Sequence, residues 1–361
     1  MLQKTKIDNK LLLIKNDWCN DVISWYRENK RNLPWRKKKN QNFYSIWLSE
    51  IMLQQTNVNT VIPYYNKFKK KWPTLESFQS AKFEELMIMW QGLGYYRRAK
   101  NFFDASKILK NYDLKNYNEL VKIPGIGKYT ASALMAILYD AKIGVIDTNI
   151  TRIFSRVFSI NFKVSSNQKL IEKIAYELAP SKHNRLYCQS LMDIGSLICK
   201  KEPECKVCPV NQYCDSLNLK QKNDEVTKKP KINKIGVVFY IKYKNSVLTQ
   251  KSDNNFLHGL LRFPTSDFHE VSTKNSDFSQ ISLDFKKLSG LRTVGKEIGF
   301  VNHHFTNFYL QLLVVKIQLK SKNNIKLKGN WIDEFKLSNF PFSRLMDKVR
   351  IKVIGLDDKY N

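Results

Sequence analysis

Ile123-Pro-Gly-Ile-Gly-Lys-Tyr-Thr130, running into the Ala-rich stretch Ala131–Leu138, sets the character of the N-terminal half of the chain. Two glycines flank one apolar residue, and a helical pattern begins directly behind them. Such a turn leaves backbone N–H groups beside a positive helix end, an arrangement suited to a phosphate. The plain alternative is a tight helix–helix turn in which the glycines serve geometry only. Outward from this turn, from Asp17 to about Ser216, apolar residues recur at spacings of three and four. They do so in Val22–Trp25, Ile46–Leu53, Leu86–Trp90, Ala131–Leu138 and Leu186–Leu197. Leu33-Pro34, Trp72-Pro73 and Gly92-Leu93-Gly94 break the pattern with turn chemistry. Residues 1–216 therefore read as an all-α domain. Residues 217–233 lose apolar periodicity and read as a linker. From Lys234 the chain turns to β-formers, in Ile235–Ile241 and Tyr309–Leu319, with helical patches at Phe285–Leu288 and Ser343–Val349. Residues 234–361 thus read as an α+β domain.

The length of 361 residues fits two domains. A hydrophobic fraction of 43% suffices for packed cores. No apolar run has the ~20 residues a membrane span needs, and the four-residue run Leu11–Ile14 is too short for a secretory signal. These features argue against a membrane, secreted or coiled-coil protein and for a cytoplasmic one. The formal net charge is +29. Residues 234–361 hold 21 Lys and Arg against 11 Asp and Glu, a net of +10, leaving +19 in residues 1–233. Most of the basic residues are Lys, so part of this charge is compositional bias. The remaining field still favours a polyanion.

Four of six cysteines fall close together: Cys199, Cys205, Cys208 and Cys214. The clustering, in a long chain without a signal, points to a metal or iron–sulfur site rather than disulfides. A zinc site usually pairs two C-x-x-C knuckles. Only one is present here, which suits thiolates around one compact cluster. Both groups remain open on spacing alone. Cys19 and Cys188 read as buried small hydrophobes.

Two carboxyls stand out. Glu50 lies among Ile46, Trp47, Ile51 and Leu53 on a helical pattern. A buried carboxyl there would hold a proton near neutrality; the default is a solvated helix Glu. Asp147, in Val145-Ile-Asp-Thr-Asn149, starts another helical pattern, and a helix N-cap would account for it.

Together these segments resemble the helix-hairpin-helix DNA glycosylases with an iron–sulfur loop, and within them the MutY-type adenine DNA glycosylases. The resemblance runs in collinear order through Arg31-Asn-Leu-Pro-Trp-Arg36, Trp47–Thr56, Gly92-Leu-Gly-Tyr-Tyr-Arg97, Ile123–Thr130, Val145–Arg156 and Gln189–Cys214. It implies a multidomain fold: an all-α helix-hairpin-helix glycosylase domain with an iron–sulfur loop at 199–214, then an α+β Nudix-like (MutT-like) domain. It implies a 4Fe-4S cluster on the four cysteines, although five residues separate Cys199 from Cys205 where the family usually has six.

The resemblance also assigns roles. Glu50 protonates adenine and later helps position or activate water. Asp147 stabilises the cationic sugar, as an ion partner or through a covalent intermediate, and Asn149 supports it. Tyr129 stands where lyase relatives carry a Schiff-base Lys, and a Tyr cannot form one. The expected enzyme is therefore monofunctional, with Tyr129 beside the reacting sugar. Arg31, Leu33, Trp35, Arg36, Leu53, Gln189 and Met192 surround the extruded adenine. Gln55 and Tyr95 are wedges in the base stack, although Tyr95 by itself reads as a core aromatic. Met52, Gln54 and Tyr96 read as packing residues. Gly125, Gly127 and Lys128 meet the DNA backbone.

In the C-terminal domain Gly259-Leu-Leu-Arg-Phe-Pro264 resembles a family segment, with Leu261 and Arg262 replacing its usual Trp and acidic residue. No glutamate cluster for Mg²⁺ accompanies Glu297, so nucleotide hydrolysis is not expected. Phe305, Thr306 and Asn307 match the tip that recognises 8-oxoguanine, with Asn307 in place of the usual His. A β-hairpin loop with polar filler is the alternative there.

The implied function is removal of adenine mispaired with 8-oxoguanine or guanine in double-stranded DNA, by a monomer. The rivals are a bifunctional endonuclease III-like glycosylase/lyase and a non-catalytic DNA-binding module.

Overall fold

A computed structural model describes residues 2–162, 164–217, 231–252, 260–271, 277–305, 307–322 and 325–357. Most of the expected linker, Gly259 and Thr306 lie outside the described residues. The chain divides into two compact units, one of residues 1–79 with 101–225, the other of 80–100 with 226–361. The second thus includes a segment that sequence pattern alone attaches to the helical half.

The helices are α1 (Leu2–Asn29), α2 (Phe43–Leu53), α3 (Val58–Lys71), α4 (Leu75–Gln79), α5 (Phe83–Trp90), α6 (Tyr96–Ile108), α7 (Tyr117–Leu120), α8 (Lys128–Tyr139), α9 (Thr148–Val157), α10 (Gln168–Leu178) and α11 (Asn184–Leu197). None is long and apolar enough to cross a membrane. Helix α1 starts well before Asp17, where the sequence pattern placed the first helix. Ile7, Leu11, Ile14, Trp18 and Val22 bury one stripe of it at helical spacing, while Leu12 and Leu13 face solvent. That stripe packs against α10 and α11.

The first unit's core is rich in aromatic rings. Trp47 and Phe102 lie 4.3 Å apart, Phe78 and Phe102 4.7 Å, and Phe68 and Trp72 4.7 Å. This cluster fixes α2, and with it Glu50. Asn42 and Asn57 cap α2 and α3 through their side chains.

The second unit carries a seven-stranded sheet of order β3-β2-β1-β6-β5, with β4 beside β1 and β7 beside β2. The strands are β1 (Ile232–Tyr243), β2 (Ser246–Lys251), β3 (Leu261–Arg262), β4 (His269–Glu270), β5 (Lys296–His304), β6 (Phe308–Leu319) and β7 (Asn330–Asp333). β1 and β6 run parallel over 12 residues each, longer than the short runs expected from sequence. Helices α12 (Phe278–Ser289) and α13 (Arg344–Asp357) complete the unit. Val238 and Tyr240 of β1 join one core, with Leu345, Met346 and Val349 of α13. Val237, Phe239 and Ile241 join the other, with Ile281 and Phe285 of α12. The strand is buried on both faces, so it reads as an unbroken apolar run.

Candidate active site

Glu50 sits near the end of α2 and is only 5% exposed. The solvated alternative does not hold. The Tyr129 hydroxyl on α8 donates to Glu50 Oε2 at 2.8 Å. Burial pushes the Glu50 carboxyl up to about 7; the Tyr129 bond opposes this, Asp147 adds to it and Arg36 opposes it. The same surroundings hold the Tyr129 hydroxyl well above its ordinary range, through burial first and then Glu50 and Asp147. Asp147 is the N-cap of α9. Its Oδ1 accepts from the Ile150 N–H at 2.7 Å, and its Oδ2 from the Asn149 amide at 3.1 Å. The N-cap reading holds: capping orients the carboxylate, whose charge acts on Glu50 and Tyr129.

Arg31-Asn-Leu-Pro-Trp-Arg36 lies between α1 and α2. Pro34–Arg36 is one turn of 3₁₀ helix. Asn40 donates to the Pro34 carbonyl at 2.7 Å and Gln41 to that of Trp35 at 2.9 Å. Leu33 and Trp35 are buried, Trp35 edge-on to Tyr65 at 5.4 Å. Arg31 and Arg36 converge on Asp193 of α11, with Arg31 Nε to Oδ1 at 2.7 Å and Arg36 Nη1 to Oδ2 at 2.6 Å. The Tyr26 hydroxyl donates to Gln189 Oε1 at 3.1 Å, and the Arg36 guanidinium lies 5.3 Å from the Tyr26 ring centre. Gln189 is buried; Leu53 and Met192 are partly exposed. Asp193 and Tyr26 were not singled out from sequence. An Asp inside the apolar run Leu191–Leu197 is the same signal that marks Glu50, so Asp193 was within reach.

The hairpin turn has the expected form. Gly125 takes φ +84°, and a Cβ there would stand 2.9 Å from that of Asn101, so both conformation and space require glycine. Gly127 caps α8, and a Cβ there would meet nothing within 4 Å. Gly125, Gly127 and Lys128 are all exposed, which leaves the first α8 N–H groups beside open solvent.

Gln55, just past α2, is exposed with φ +57°. Tyr95, in the second unit, is 48% exposed with φ +47°. The core-aromatic reading of Tyr95 is therefore wrong: the left-handed backbone turns the ring outward. Met52 and Tyr96 are buried packing residues, and Gln54 is partly buried.

Cys199, Cys205, Cys208 and Cys214 line one cavity of about 320 Å³, with Ile153, Ile194 and Val210. The Cys208 thiol is pushed up to about 11, by burial first, with the Val210 backbone opposing and the other three cysteines adding to it. Among the described residues no set of three His, Cys, Asp or Glu already converges as a metal site. Arg156 donates to Cys199 Sγ at 3.2 Å and to the Lys200 carbonyl at 2.6 Å. Arg152 donates to the Cys199 carbonyl at 2.6 Å and to Asn149 Oδ1 at 2.9 Å, tying α9 to the cysteine loop. A donor set of four thiols around an apolar-lined cavity, with Arg156 in its lining, fits an iron–sulfur cluster. Cys188 is buried, as expected; Cys19 is partly exposed and donates to the Leu178 carbonyl at 3.2 Å, because only one side of α1 is covered there.

In the second unit, β5 and β6 pair to a hairpin tip closed by the Phe305 N–H on the Phe308 carbonyl at 2.9 Å. Phe305 stacks on Phe308 at 4.5 Å and packs against the core, while Asn307 is exposed. Burial, then Lys348 and Arg344, push the neighbouring His303 down to about 4.

The HhH-GPD superfamily of base excision DNA repair proteins matches residues 48–181, which include Glu50, the hairpin turn and Asp147. Adenine DNA glycosylase of Buchnera aphidicola subsp. Baizongia pistaciae is 36% identical over 84% of this chain and 88% of the relative. That of Buchnera aphidicola subsp. Schizaphis graminum is 34% identical over 86% and 91%. The chain belongs to the adenine DNA glycosylase family. Its helical fold is that of a thermostable thymine-DNA glycosylase, with a TM-score of 0.51 and 24% identity over 58% of this chain and 97% of that one. In this member of the adenine DNA glycosylase family, an all-helical unit bearing the helix-hairpin-helix is joined by an α+β unit.

Proposed function

We propose that this chain is a monofunctional DNA glycosylase of base excision repair, releasing adenine mispaired with 8-oxoguanine or guanine in double-stranded DNA. The observation that carries the reading is a buried Glu50, its carboxyl pushed up to about 7 by burial, bonded to Tyr129 and within the field of Asp147.

The chemistry needs one acid and one anion. Glu50 gives its proton to a ring nitrogen of the extruded adenine. The bond from C1′ to the base breaks, and its electron pair leaves with the base. Asp147, held by the Ile150 N–H and Asn149, stabilises the resulting cationic sugar. Water adds to C1′ and its proton returns to Glu50. Tyr129 supplies no amine, so no Schiff base forms and the strand is left uncut.

Arg31, Leu33, Trp35, Arg36, Leu53, Gln189 and Met192 enclose the adenine. Gln55 and Tyr95 occupy the disrupted stack. Gly125, Gly127 and Lys128 bind a phosphate at the start of α8. Cys199, Cys205, Cys208 and Cys214 would hold a 4Fe-4S cluster, and Arg152 ties their loop to α9. The glycosylase domain spans residues 1–216, and residues 234–361 form a Nudix-like reader of 8-oxoguanine through Phe305, Thr306 and Asn307. The enzyme acts as a monomer in the cytoplasm.

The test is adenine release from a duplex containing an A·8-oxoG pair. Wild type releases the base and Glu50→Gln does not. Equal release by both, or none by wild type with its cluster intact, overturns the proposal.

A further inference from the structure

The carboxylate of Asp193 is fully buried. It receives the Arg31 backbone N–H at 3.2 Å, Arg31 Nε at 2.7 Å, and Arg36 Nη1 and Nη2 at 2.6 and 2.9 Å. Arg31 Nη2 lies 2.6 Å from the same Oδ1. Arg31 also donates to Ser196 Oγ at 3.3 Å. One anion therefore fixes two guanidinium groups, Arg36 bidentate across both carboxylate oxygens and Arg31 with two nitrogens on Oδ1. Asp193 lies one helical turn beyond Gln189 on α11, so both project from one face of the helix, Gln189 onto Tyr26 and Asp193 onto Arg36. Arg36 passes the constraint on, because its guanidinium packs on Tyr26, which bonds Gln189.

The charge balance matters as much. Two partly buried cations share one anion, and the positive charge of Arg36 acts at Glu50, where it opposes retention of the proton. The groups facing Glu50 are Tyr129 from α8, Asp147 at the start of α9, Arg36 from the 3₁₀ turn and Cys188 from α11. Only Arg36 among them is cationic. Its field at Glu50 is tempered by the carboxylate it grips.

We propose that Asp193 is a positioning residue for adenine excision, holding Arg31 and Arg36 as a rigid wall of the base pocket and offsetting the charge of Arg36 at Glu50. This rests on the glycosylase reading above.

Single-turnover adenine release by the full-length, cluster-loaded protein is measured from pH 5 to 9, with duplex binding measured separately. Asp193→Asn keeps the shape and removes the charge. It is expected to slow release at pH 7 at least about tenfold, to move the basic limb of the profile down by about one pH unit, and to leave duplex binding within about threefold. A limb at the wild-type position with release within twofold overturns the proposal. If Asp193→Asn does not fold, Asp193→Glu decides. The added methylene moves the guanidiniums but keeps the charge, so release slows several-fold while the limb stays in place. Wild-type release by Asp193→Glu overturns the positioning role, and a shifted limb overturns the charge role. Failure of wild type to release adenine at all strikes the function itself, and is thereby distinguished from failure of this inference.

Discussion

Tyr129 donates its hydroxyl hydrogen to Oε2 of Glu50 at 2.8 Å, bridging the first turn of α8 to the last turn of α2. The hydroxyl stabilises the ionised carboxylate against a burial that favours the protonated form. Tyr129→Phe removes that stabilisation. The Glu50 pKa should rise further, moving the basic limb of the pH–rate profile upward. Loss of the fixed rotamer should slow adenine release by about tenfold. Single-turnover profiles of the two proteins check this, and a limb displaced downward counts against it.

Glu50 also makes stability depend on pH. Its pKa rises from 4.5 unfolded to about 7 folded. The folded state therefore binds more protons across that window. The associated stability is complete below pH 4.5 and is lost as pH rises through about 7. Glu50→Gln lacks this loss. At pH 8 it should be more stable than wild type by up to about 3 kcal/mol, and the gap should close near pH 4. Urea titrations at the two pH values measure the difference.

Asp147 caps α9, and the proposed mechanism also gives it the cationic sugar to stabilise. Asn caps as well as Asp, so Asp147→Asn should keep the bond from the Ile150 N–H and change stability by less than about 1 kcal/mol. It should nevertheless lose adenine release by at least about a hundredfold, because the anion is gone. Duplex binding should persist. Retained release with retained stability would falsify the catalytic role.

The four cysteines should yield a protein with broad visible absorbance and about four iron and four sulfide per chain, rather than one zinc. Cys208→Ser should lower the iron content. Because Arg152 bonds both the Cys199 carbonyl and Asn149, the loosened loop should also slow adenine release. Colourless wild type containing stoichiometric zinc excludes the cluster.

Asn307 is exposed at the tip of the β5–β6 hairpin. Asn307→His should raise the ratio of release from A·8-oxoG over A·G several-fold, leaving the A·G rate nearly unchanged. An unchanged ratio removes Asn307 from opposite-base recognition. Duplex binding by either protein should fall steeply with salt, as a chain of net charge +29 requires.

Much was decided by sequence alone. Helical spacing marked α2, α8 and α11, unbroken runs of β-formers marked β1 and β6, and the cysteine spacing marked the loop. These are patterns a few residues long, and each repeats the period of the element it forms. The Glu50 and Asp147 segments were legible for the same reason. Only the tertiary structure decided that Glu50 is buried, that Tyr95 faces solvent, and that α1 extends to Leu2 because α10 and α11 cover its apolar stripe. It alone brought Asp193 to Arg31 and Arg36, across separations of 162 and 157 residues. A side chain's protonation and partners depend on what other elements exclude water from it. That is set by packing between distant segments, which no local period encodes.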